Sequence, residues 1–483
     1  METEPSEQIS IDRRPIWVVV IDRMRRGIGL ALIFSVFMLL LGLEGPGDLS
    51  PEGYKVLCLF FLCVALWASN LVPLSVTSLL AIAAIPLLGI MEATQAYSFF
   101  GNKAIFFILG VFILSAAMIG CGLSVRLSMW ILEACGSNPQ KLVAGVYFFG
   151  AIGSCFMSEH AVAAMMLPLI HEIVSALKLE RGKSVLGRAL FLAMAWGCII
   201  GGAATVLGGG RVPLAVEILE QSTQGMSTIG LVEYSWLAFP MVVLMVVCSW
   251  LVLIRLYPPD VEDVQPARNV LQEKLQAMGR VSFQERGVSV VMAVTLFFWF
   301  VYGDELGIAN IAIISIALLF IFNLIDWKMV EQYVNWAIIL MYGGAICLGQ
   351  AMAESGAALW LAGNVFDAAT QSPGFFLVCT AFLSMLFTTF MSNSAVIAIL
   401  MPPVLGVCKA YGINPSVAAM AVILPSNFAF ILPIATPASA LAYSSRYISL
   451  QEMVWSGSIL VMIGLLSYSF LQFIYWPLIG FYQ

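Results

Sequence analysis

The chain has 483 residues, of which 61% are hydrophobic and 10% charged, and its mean hydropathy is +0.96. Because the apolar share of a soluble domain lies nearer one half, this composition excludes a soluble protein and indicates one that spans a membrane several times. A net charge of −6 is too small for this length to indicate a nucleic-acid partner. The cysteines stand singly along apolar runs without a C-x-x-C pair, so no disulfide framework is expected.

The apolar runs are long and continuous, which predicts helices and not the short alternating strands of a membrane barrel. About eleven of them approach the roughly 20 residues that a transmembrane helix requires. The predicted fold class is an all-α polytopic membrane protein of about 11 transmembrane helices plus two re-entrant hairpins. Outside the hairpins and interrupted helices, the predicted spans are 27–43, 54–69, 73–90, 104–121, 234–256, 287–302, 308–324, 336–352 and 455–479.

Positively charged residues indicate which side of the membrane each end faces. Residues 1–26 are polar, lack a small-residue cleavage site and end in Arg25 and Arg26, so we expect a cytoplasmic segment and not a cleaved signal. The long hydrophilic loop 257–286 contains Arg268, Lys274, Arg280 and Arg286 and is expected to be cytoplasmic. Counting the spans from the N-terminus puts the C-terminus outside the cell's inner membrane.

Two stretches, 156–164 and 390–398, have similar sequences and lie at a constant spacing, which indicates an internal duplication. Each has a polar tip between apolar flanks, and polar groups at membrane depth are costly unless they have a partner or a function. Each flank, about 16 residues long, reaches about 24 Å, less than the roughly 30 Å of hydrocarbon. These lengths predict re-entrant hairpins at 142–174 and 374–409.

Each predicted hairpin is followed by a span that glycine or proline interrupts. The span 189–219 contains five glycines and Pro213 between residues 201 and 213, and the span 415–443 contains Pro433 and Pro437. These residues prevent a continuous helix and free backbone amides and carbonyls near the middle of the membrane. We therefore predict two discontinuous helices.

The predicted organisation is a pair of inverted repeats, 27–256 and 287–483, joined by the linker 257–286. The crossing count makes the first hairpin open to the cytoplasm and the second to the outside. Inverted repeats with paired broken helices are typical of secondary transporters, whose binding site lies at the repeat interface near the midplane.

The polar tips suggest the chemistry of this site. Ser392, Asn393 and Ser394, with Thr388 one turn earlier, offer the neutral oxygens that Na⁺ prefers. The same helix N-termini direct positive dipole ends inward, which suits a carboxylate, sulfate or phosphate oxygen.

At these positions the chain resembles the divalent anion:sodium symporter family, whose members carry dicarboxylates, citrate or sulfate. The two tips resemble the family's paired Ser-Asn-Thr signatures, and the breaks at 201–213 and 435–437 resemble its paired Thr-Pro-Pro-type turns. The runs 49–53 and 442–445 also resemble the family, so the similarity covers nearly the whole chain. The resemblance implies a homodimer that works as an elevator and binds two Na⁺ ions and an anion.

Carried over by position, the resemblance implies two sodium sites and a substrate site between them. The first sodium site would involve Ser154, Ser158, Glu159 and Gly208, and the second Thr388, Ser392, Asn393 and Ala435. The substrate site would involve Ser158, Glu159, His160, Arg211, Ser392, Asn393, Ser394, Thr436 and Pro437.

The first signature departs from the family pattern, because it reads Ser158-Glu159-His160 and its turn carries Arg211 and Val212. A carboxylate and a guanidinium that appear together in facing motifs suggest an ion pair. We expect Arg211 to place a fixed positive charge where the first Na⁺ would bind, with Glu159 as its counterion. One sodium ion would then remain.

Several alternatives stay open from sequence. Arg211 could face a water path away from Glu159, and Glu159 with His160 could couple transport to protons. A negative Glu159 also makes a monoanion or an amino acid a candidate solute, moved by symport or exchange. A channel or a sensor without transport remains a further alternative.

An enzyme is not expected. His171 and Glu172 begin a pattern that resembles H-E-x-x-H, but residue 175 is Ser. With only two histidines in the chain, a histidine-rich zinc site is impossible.

Overall fold

The computed structural model describes residues 16–69, 71–134, 136, 138–366 and 372–481, and these residues fold as helices joined by turns and loops. Residues 1–15 of the expected N-terminal segment lie outside the described residues. The α-helices are α1 Ile16–Leu41, α2 Pro51–Ser69, α3 Leu74–Leu87, α4 Ala93–Ser98, α5 Lys103–Gly120, α6 Leu123–Ala134, α7 Pro139–Phe156, α8 Glu159–Ala176, α9 Val185–Gly201, α10 Arg211–Ser222, α11 Leu231–Leu256, α12 Gln265–Ala277, α13 Phe283–Leu306, α14 Ile308–Ile321, α15 Trp327–Tyr333, α16 Trp336–Glu354, α17 Ala357–Phe366, α18 Pro373–Phe390, α19 Asn393–Tyr411, α20 Pro415–Ser426, α21 Pro437–Ser444, α22 Leu450–Phe470 and α23 Trp476–Leu478.

The predicted class, an all-α polytopic membrane protein, is confirmed. Eight of the described helical segments are long and apolar enough to cross a membrane, and shorter apolar helices such as α3, α9, α14, α19 and α20 accompany them. The helices α4, α6, α12, α15 and α17 lie outside the predicted spans, because each is too short or too polar to meet a criterion of about 20 apolar residues. Helix α1 begins at Ile16, earlier than the expected start at residue 27, because residues 16–21 are apolar.

Each duplicated stretch forms two helices joined by a tight turn. The chain leaves α7 at Phe156 and enters α8 at Glu159, and it leaves α18 at Phe390 and enters α19 at Asn393. The serine between the helices caps the second helix in both cases. The Ser158 hydroxyl accepts a hydrogen bond from the Ala161 amide and the Ser392 hydroxyl accepts one from the Ala395 amide, each at 3.3 Å.

The two interrupted spans each form two short helices separated by irregular backbone. In the first, α9 ends at Gly201, a 3₁₀ turn covers Val206–Gly208 and α10 starts at Arg211. Thr205 fixes this irregular segment to the first hairpin, since its hydroxyl donates to the Cys155 carbonyl at 2.6 Å. In the second, α20 ends at Ser426 and α21 starts at Pro437.

The helices pack as two groups that enclose the polar tips. Helices α7 to α10 and α18 to α21, which we call the hairpin core, pack on one another through pairs such as α7 with α9, α18 with α20, α10 with α19 and α8 with α21. Helices α2, α3, α5, α14 and α16, which we call the frame, pack together through α3 with α16 and α5 with α14. Helix α16 contacts both groups, because it also packs on α10 and α19.

Glycines allow the first hairpin to approach the first interrupted helix closely. A Cβ atom at Gly197 would lie 2.3 Å from the Tyr147 carbonyl oxygen, and one at Gly201 would lie 1.9 Å from the Ala151 carbonyl oxygen. Small residues that let two helix backbones touch are a common device in membrane proteins. The contact between α7 and α9 fixes the distance between the tip of the hairpin and the break in the helix.

We therefore expect Gly201→Val to destabilise the protein by at least about 1–3 kcal/mol, because the added side chain overlaps the backbone of α7. The measurement is the midpoint of thermal unfolding of the detergent-solubilised protein. Gly27→Val is the matched control, since nothing lies within 4 Å of a Cβ at that helical position. Equal midpoints for the two variants would contradict this account of the α7–α9 contact.

Candidate functional site

A cavity of about 200 Å³ lies between the hairpin core and the frame. Its walls combine backbone at the helix breaks with polar side chains from the two hairpin tips. The frame closes one side with residues of α3 and the start of α16. The lining residues are Leu74, Glu159, His160, Gly210, Arg211, Asn335, Ala337, Ile338, Met341, Ser392, Asn393, Ser394, Ala435, Thr436 and Pro437.

Four helices of the core begin at this cavity. Glu159, Arg211, Asn393 and Pro437 are the first residues of α8, α10, α19 and α21, and all four line the cavity. The first amides of a helix have no partner within the helix, and the helix dipole places partial positive charge at this end. Four such ends around one space make it attractive to an anion.

Arg211 and Glu159 form a buried ion pair inside the core. The Arg211 Nη2 atom lies 3.1 Å from Glu159 Oε2, and the two side chains are 3% and 0% exposed. Each charge alone would carry a desolvation cost of several kcal/mol, so the two side chains depend on each other. The pair joins the tip of the first hairpin to the first interrupted helix.

Arg211 also reaches the second half of the chain. Its Nε atom donates a hydrogen bond to the side-chain oxygen of Asn427, which directly follows α20. The Asn427 amide nitrogen in turn donates to the carbonyls of Ile423 and Leu424, at 2.7 and 3.2 Å. One guanidinium therefore connects the first hairpin, both interrupted helices and the cavity wall.

The backbone around the guanidinium leaves no room for side chains. A Cβ atom at Gly202 would lie 2.9 Å from Glu159 Oε2, and one at Gly209 would lie 2.7 Å from Arg211 Nη1. Gly208 packs against Gly202, since its Cβ would lie 2.3 Å from the Gly202 carbonyl oxygen. The glycines of this break therefore leave the space that the Arg211 side chain occupies.

The remaining residues of the expected first sodium site lie close by in the sequence but outside the lining of this cavity. Ser154 is fully buried in α7, and Ser158 caps α8. Ser158 lines a second cavity of about 500 Å³, which His160 and Asn335 also line, as does Lys274 of α12. The shared residues His160 and Asn335 separate the two spaces.

Two buried polar atoms at the first tip are not paired within the described residues. Glu159 Oε1 and His160 Nδ1 lie 3.6 Å apart and have no hydrogen-bond partner there. An unpaired buried acceptor costs about 1–3 kcal/mol. Both residues line the cavity, and these two atoms are buried beside it.

Oxygen atoms converge at the second tip. The Thr388 hydroxyl oxygen lies 2.6 Å from Asn393 Oδ1 and 2.9 Å from the Ser426 carbonyl oxygen. A hydroxyl has one proton and can satisfy one of these two acceptors, so three close oxygens share a single hydrogen. This arrangement suits a small hard cation, and Ser426 lies at the negative C-terminal end of α20.

The second break brings the other expected residues to the same place. Ala435, Thr436 and Pro437 line the cavity with Ser392 and Ser394. Thr436 caps α21, because its hydroxyl accepts a hydrogen bond from the Ser439 amide at 3.2 Å.

Sequence reasoning missed Asn427, Ser426 and Asn335. Asn427 and Ser426 lie before the 435–437 break that the sequence emphasised, and Pro425 at the end of an apolar run could have marked the end of their helix. Asn335 precedes α16 and caps it, accepting from the Ile338 amide at 3.4 Å, so its sequence pattern is that of an ordinary helix start.

The fold and this site define a polytopic membrane transporter. The family described as "Sodium:sulfate symporter transmembrane region" matches residues 25–482. The chain therefore belongs to this family.

One named relative and one solved structure are similar to this chain over most of its length. The sodium-dependent dicarboxylate transporter SdcS of Staphylococcus aureus is 25% identical over 457 residues, which cover 89% of this chain and 87% of that protein. The structure of MtrF from Neisseria gonorrhoeae, described within a class of antimetabolite efflux pumps, has a TM-score of 0.55 at 12% identity and covers 93% of this chain and 94% of that one. At this identity the likeness to MtrF shows a shared fold alone.

The buried pair leads to a prediction about stability. Glu159→Gln should destabilise the protein by about 3–5 kcal/mol, because it leaves the Arg211 charge buried without its partner. Combining it with Arg211→Met should recover much of this loss, as thermal unfolding midpoints of the single and double variants will show.

The matched control is Lys183→Met, which breaks an ion pair of 2.7 Å with Glu180 whose side chains are 80% and 69% exposed. This change should cost about 0–1 kcal/mol. A double variant less stable than both single variants would contradict the mutual dependence of Glu159 and Arg211.

Proposed function

We propose that the protein is a secondary active transporter that moves a small anion, carboxylate or sulfate-like, across the membrane together with Na⁺. The observation that carries this proposal is the cavity on which four helix N-termini and Arg211 converge, between two separately packed helix groups. Family membership supports sodium coupling. The relative SdcS is a sodium-dependent dicarboxylate transporter, which makes a dicarboxylate one candidate solute.

The proposed sodium ion binds at the second tip. The oxygens of Thr388, Asn393 and Ser426 would hold it, with the backbone of the break at Ala435 and the tip at Ser392 beside them. An ion here would satisfy acceptors that the single Thr388 proton leaves open. It would also lie next to the anion and reduce the cost of burying that charge.

In this proposal, the positive charge of Arg211 replaces a sodium ion at the first tip. Its guanidinium lies in the space left by the glycines of the first break and pairs with Glu159 at the hairpin tip. A permanent positive charge there would exclude a cation from the oxygens of Ser154, Ser158 and the Gly208 turn. One sodium ion would then accompany each solute.

The proposed movement is an elevator in which the hairpin core slides against the frame. The core helices pack mainly on one another, and the cavity lies on the boundary with the frame, which supports such a movement. The second cavity continues from His160 towards Lys274 of α12. The lysine and arginine residues of the 257–286 linker predict a cytoplasmic position, so in this proposal the described state opens inward.

The remaining parts of the proposal come from charge patterning and resemblance. We place the protein in the cell's inner membrane as a homodimer of inverted repeats 27–256 and 287–483. The N-terminus is cytoplasmic and the C-terminus external in this arrangement.

Coupling to protons is the second candidate. The unpaired Glu159 Oε1 and His160 Nδ1, 3.6 Å apart at the cavity, favour it because a proton between them would satisfy both atoms. Uptake into proteoliposomes with the Na⁺ and pH gradients varied independently separates the two. Uptake driven by a pH gradient without Na⁺ would support the proton and contradict sodium coupling.

The sodium site gives a prediction with a neighbouring control. Thr388→Val should raise the Na⁺ concentration for half-maximal uptake by about tenfold or more. The reason is that losing a ligand that contributes about 1.4 kcal/mol of binding free energy weakens Na⁺ binding tenfold. Thr389→Val is the control, because Thr389 is also buried but donates to the Met385 carbonyl of its own helix. Equal sodium dependence in both variants would exclude Thr388 as a ligand.

A further inference from the structure

We infer that the transported solute carries one negative charge, as a single carboxylate, and a hydrogen-bond donor that meets Glu159 Oε1. The inference rests on the proposed function and specifies the solute of the same cavity. It makes Glu159 a specificity-determining residue. Three observations support this inference: the unpaired Glu159 oxygen, the charges of the residues that line the cavity, and the volume of the cavity.

The first step is the charge of the cavity. Among the described lining residues, Glu159 and Arg211 carry full charges of opposite sign, and they neutralise each other at 3.1 Å. One sodium ion at Thr388 and Asn393 would leave a single positive charge. A solute with one negative charge balances it, whereas sulfate or a dicarboxylate dianion would leave one buried negative charge without a partner.

The second step is the free carboxylate oxygen. Arg211 occupies Glu159 Oε2, but Oε1 has no hydrogen-bond partner within the described residues although Glu159 is fully buried. An acceptor in this state requires a donor, and a hydroxyl group on the solute supplies one without changing the charge of the solute. A solute without such a group would leave the oxygen unsatisfied in the closed complex.

The third step is orientation and size. The amide ends of α19 and α21, with the proposed sodium ion, would hold the carboxylate, and the donor would point to the opposite tip, where Glu159 begins α8. A space of about 200 Å³ has the volume of roughly six or seven water molecules at ~30 Å³ each. Small hydroxy acids fit in this space.

The test is uptake by the full chain in proteoliposomes with an inward Na⁺ gradient. Propionate, lactate and alanine share a three-carbon carboxylate and differ in having no donor, a hydroxyl or an ammonium group. Succinate and sulfate are the doubly charged comparisons. We expect lactate to exceed propionate at least about tenfold, because sites that bind a donor reject analogues lacking it. Lactate should also exceed both dianions and alanine, whose ammonium group cancels the charge of its carboxylate.

The variant Glu159→Gln sharpens the test, because it removes the negative charge and leaves Arg211 positive. Preference over propionate should fall about tenfold, and succinate or sulfate should gain relative to lactate. If this variant does not fold, uptake of the five solutes by the wild-type protein is sufficient to test the inference.

The outcomes separate the two levels of the proposal. Na⁺-dependent uptake of succinate, sulfate or alanine above that of lactate, or uptake of propionate equal to that of lactate, would overturn the inference and leave the transporter proposal standing. Absence of Na⁺-dependent uptake for every compound, while a control protein in the same vesicles is active, would overturn both.

Discussion

The structure depends on one buried guanidinium. Arg211 donates to Glu159 at the tip of the first hairpin and to Asn427 at the end of α20. Moving such a charge out of water costs several kcal/mol, and only well-placed partners compensate for it. These contacts therefore hold three elements of the core in one arrangement. Positions 202 and 209 require glycine, because a Cβ atom there would occupy the space that the Arg211 side chain needs.

This interaction makes the two halves of the site chemically different although they share one plan. Both hairpin tips have a serine cap and begin a helix at the cavity, as do both interrupted helices. The second tip has converging neutral oxygens at Thr388, whereas the first has a fixed pair of charges. We propose that this asymmetry sets the ion number and the solute charge of this protein.

Much of this arrangement could be predicted from sequence, because its signals are local. The duplicated tips predict capped helix starts, and clusters of glycine or proline predict breaks, so the elements around Ser158, Arg211, Ser392 and Thr436 were found. The amphipathic α12 was not, since its 13 residues do not resemble a span. Asn427 was missed for a different reason: its role depends on a guanidinium that is distant in the chain, and no local pattern encodes that contact.

The central claim is that Arg211 replaces one coupling ion, and the most direct measurement is the number of Na⁺ ions moved with each solute. The solute concentration ratio at which net flux into proteoliposomes is zero, measured at several Na⁺ gradients with the membrane potential held at zero, gives this number without a mutation. The account predicts one Na⁺ per solute. A value of two would mean that the first site still binds sodium beside Arg211, and would contradict the account.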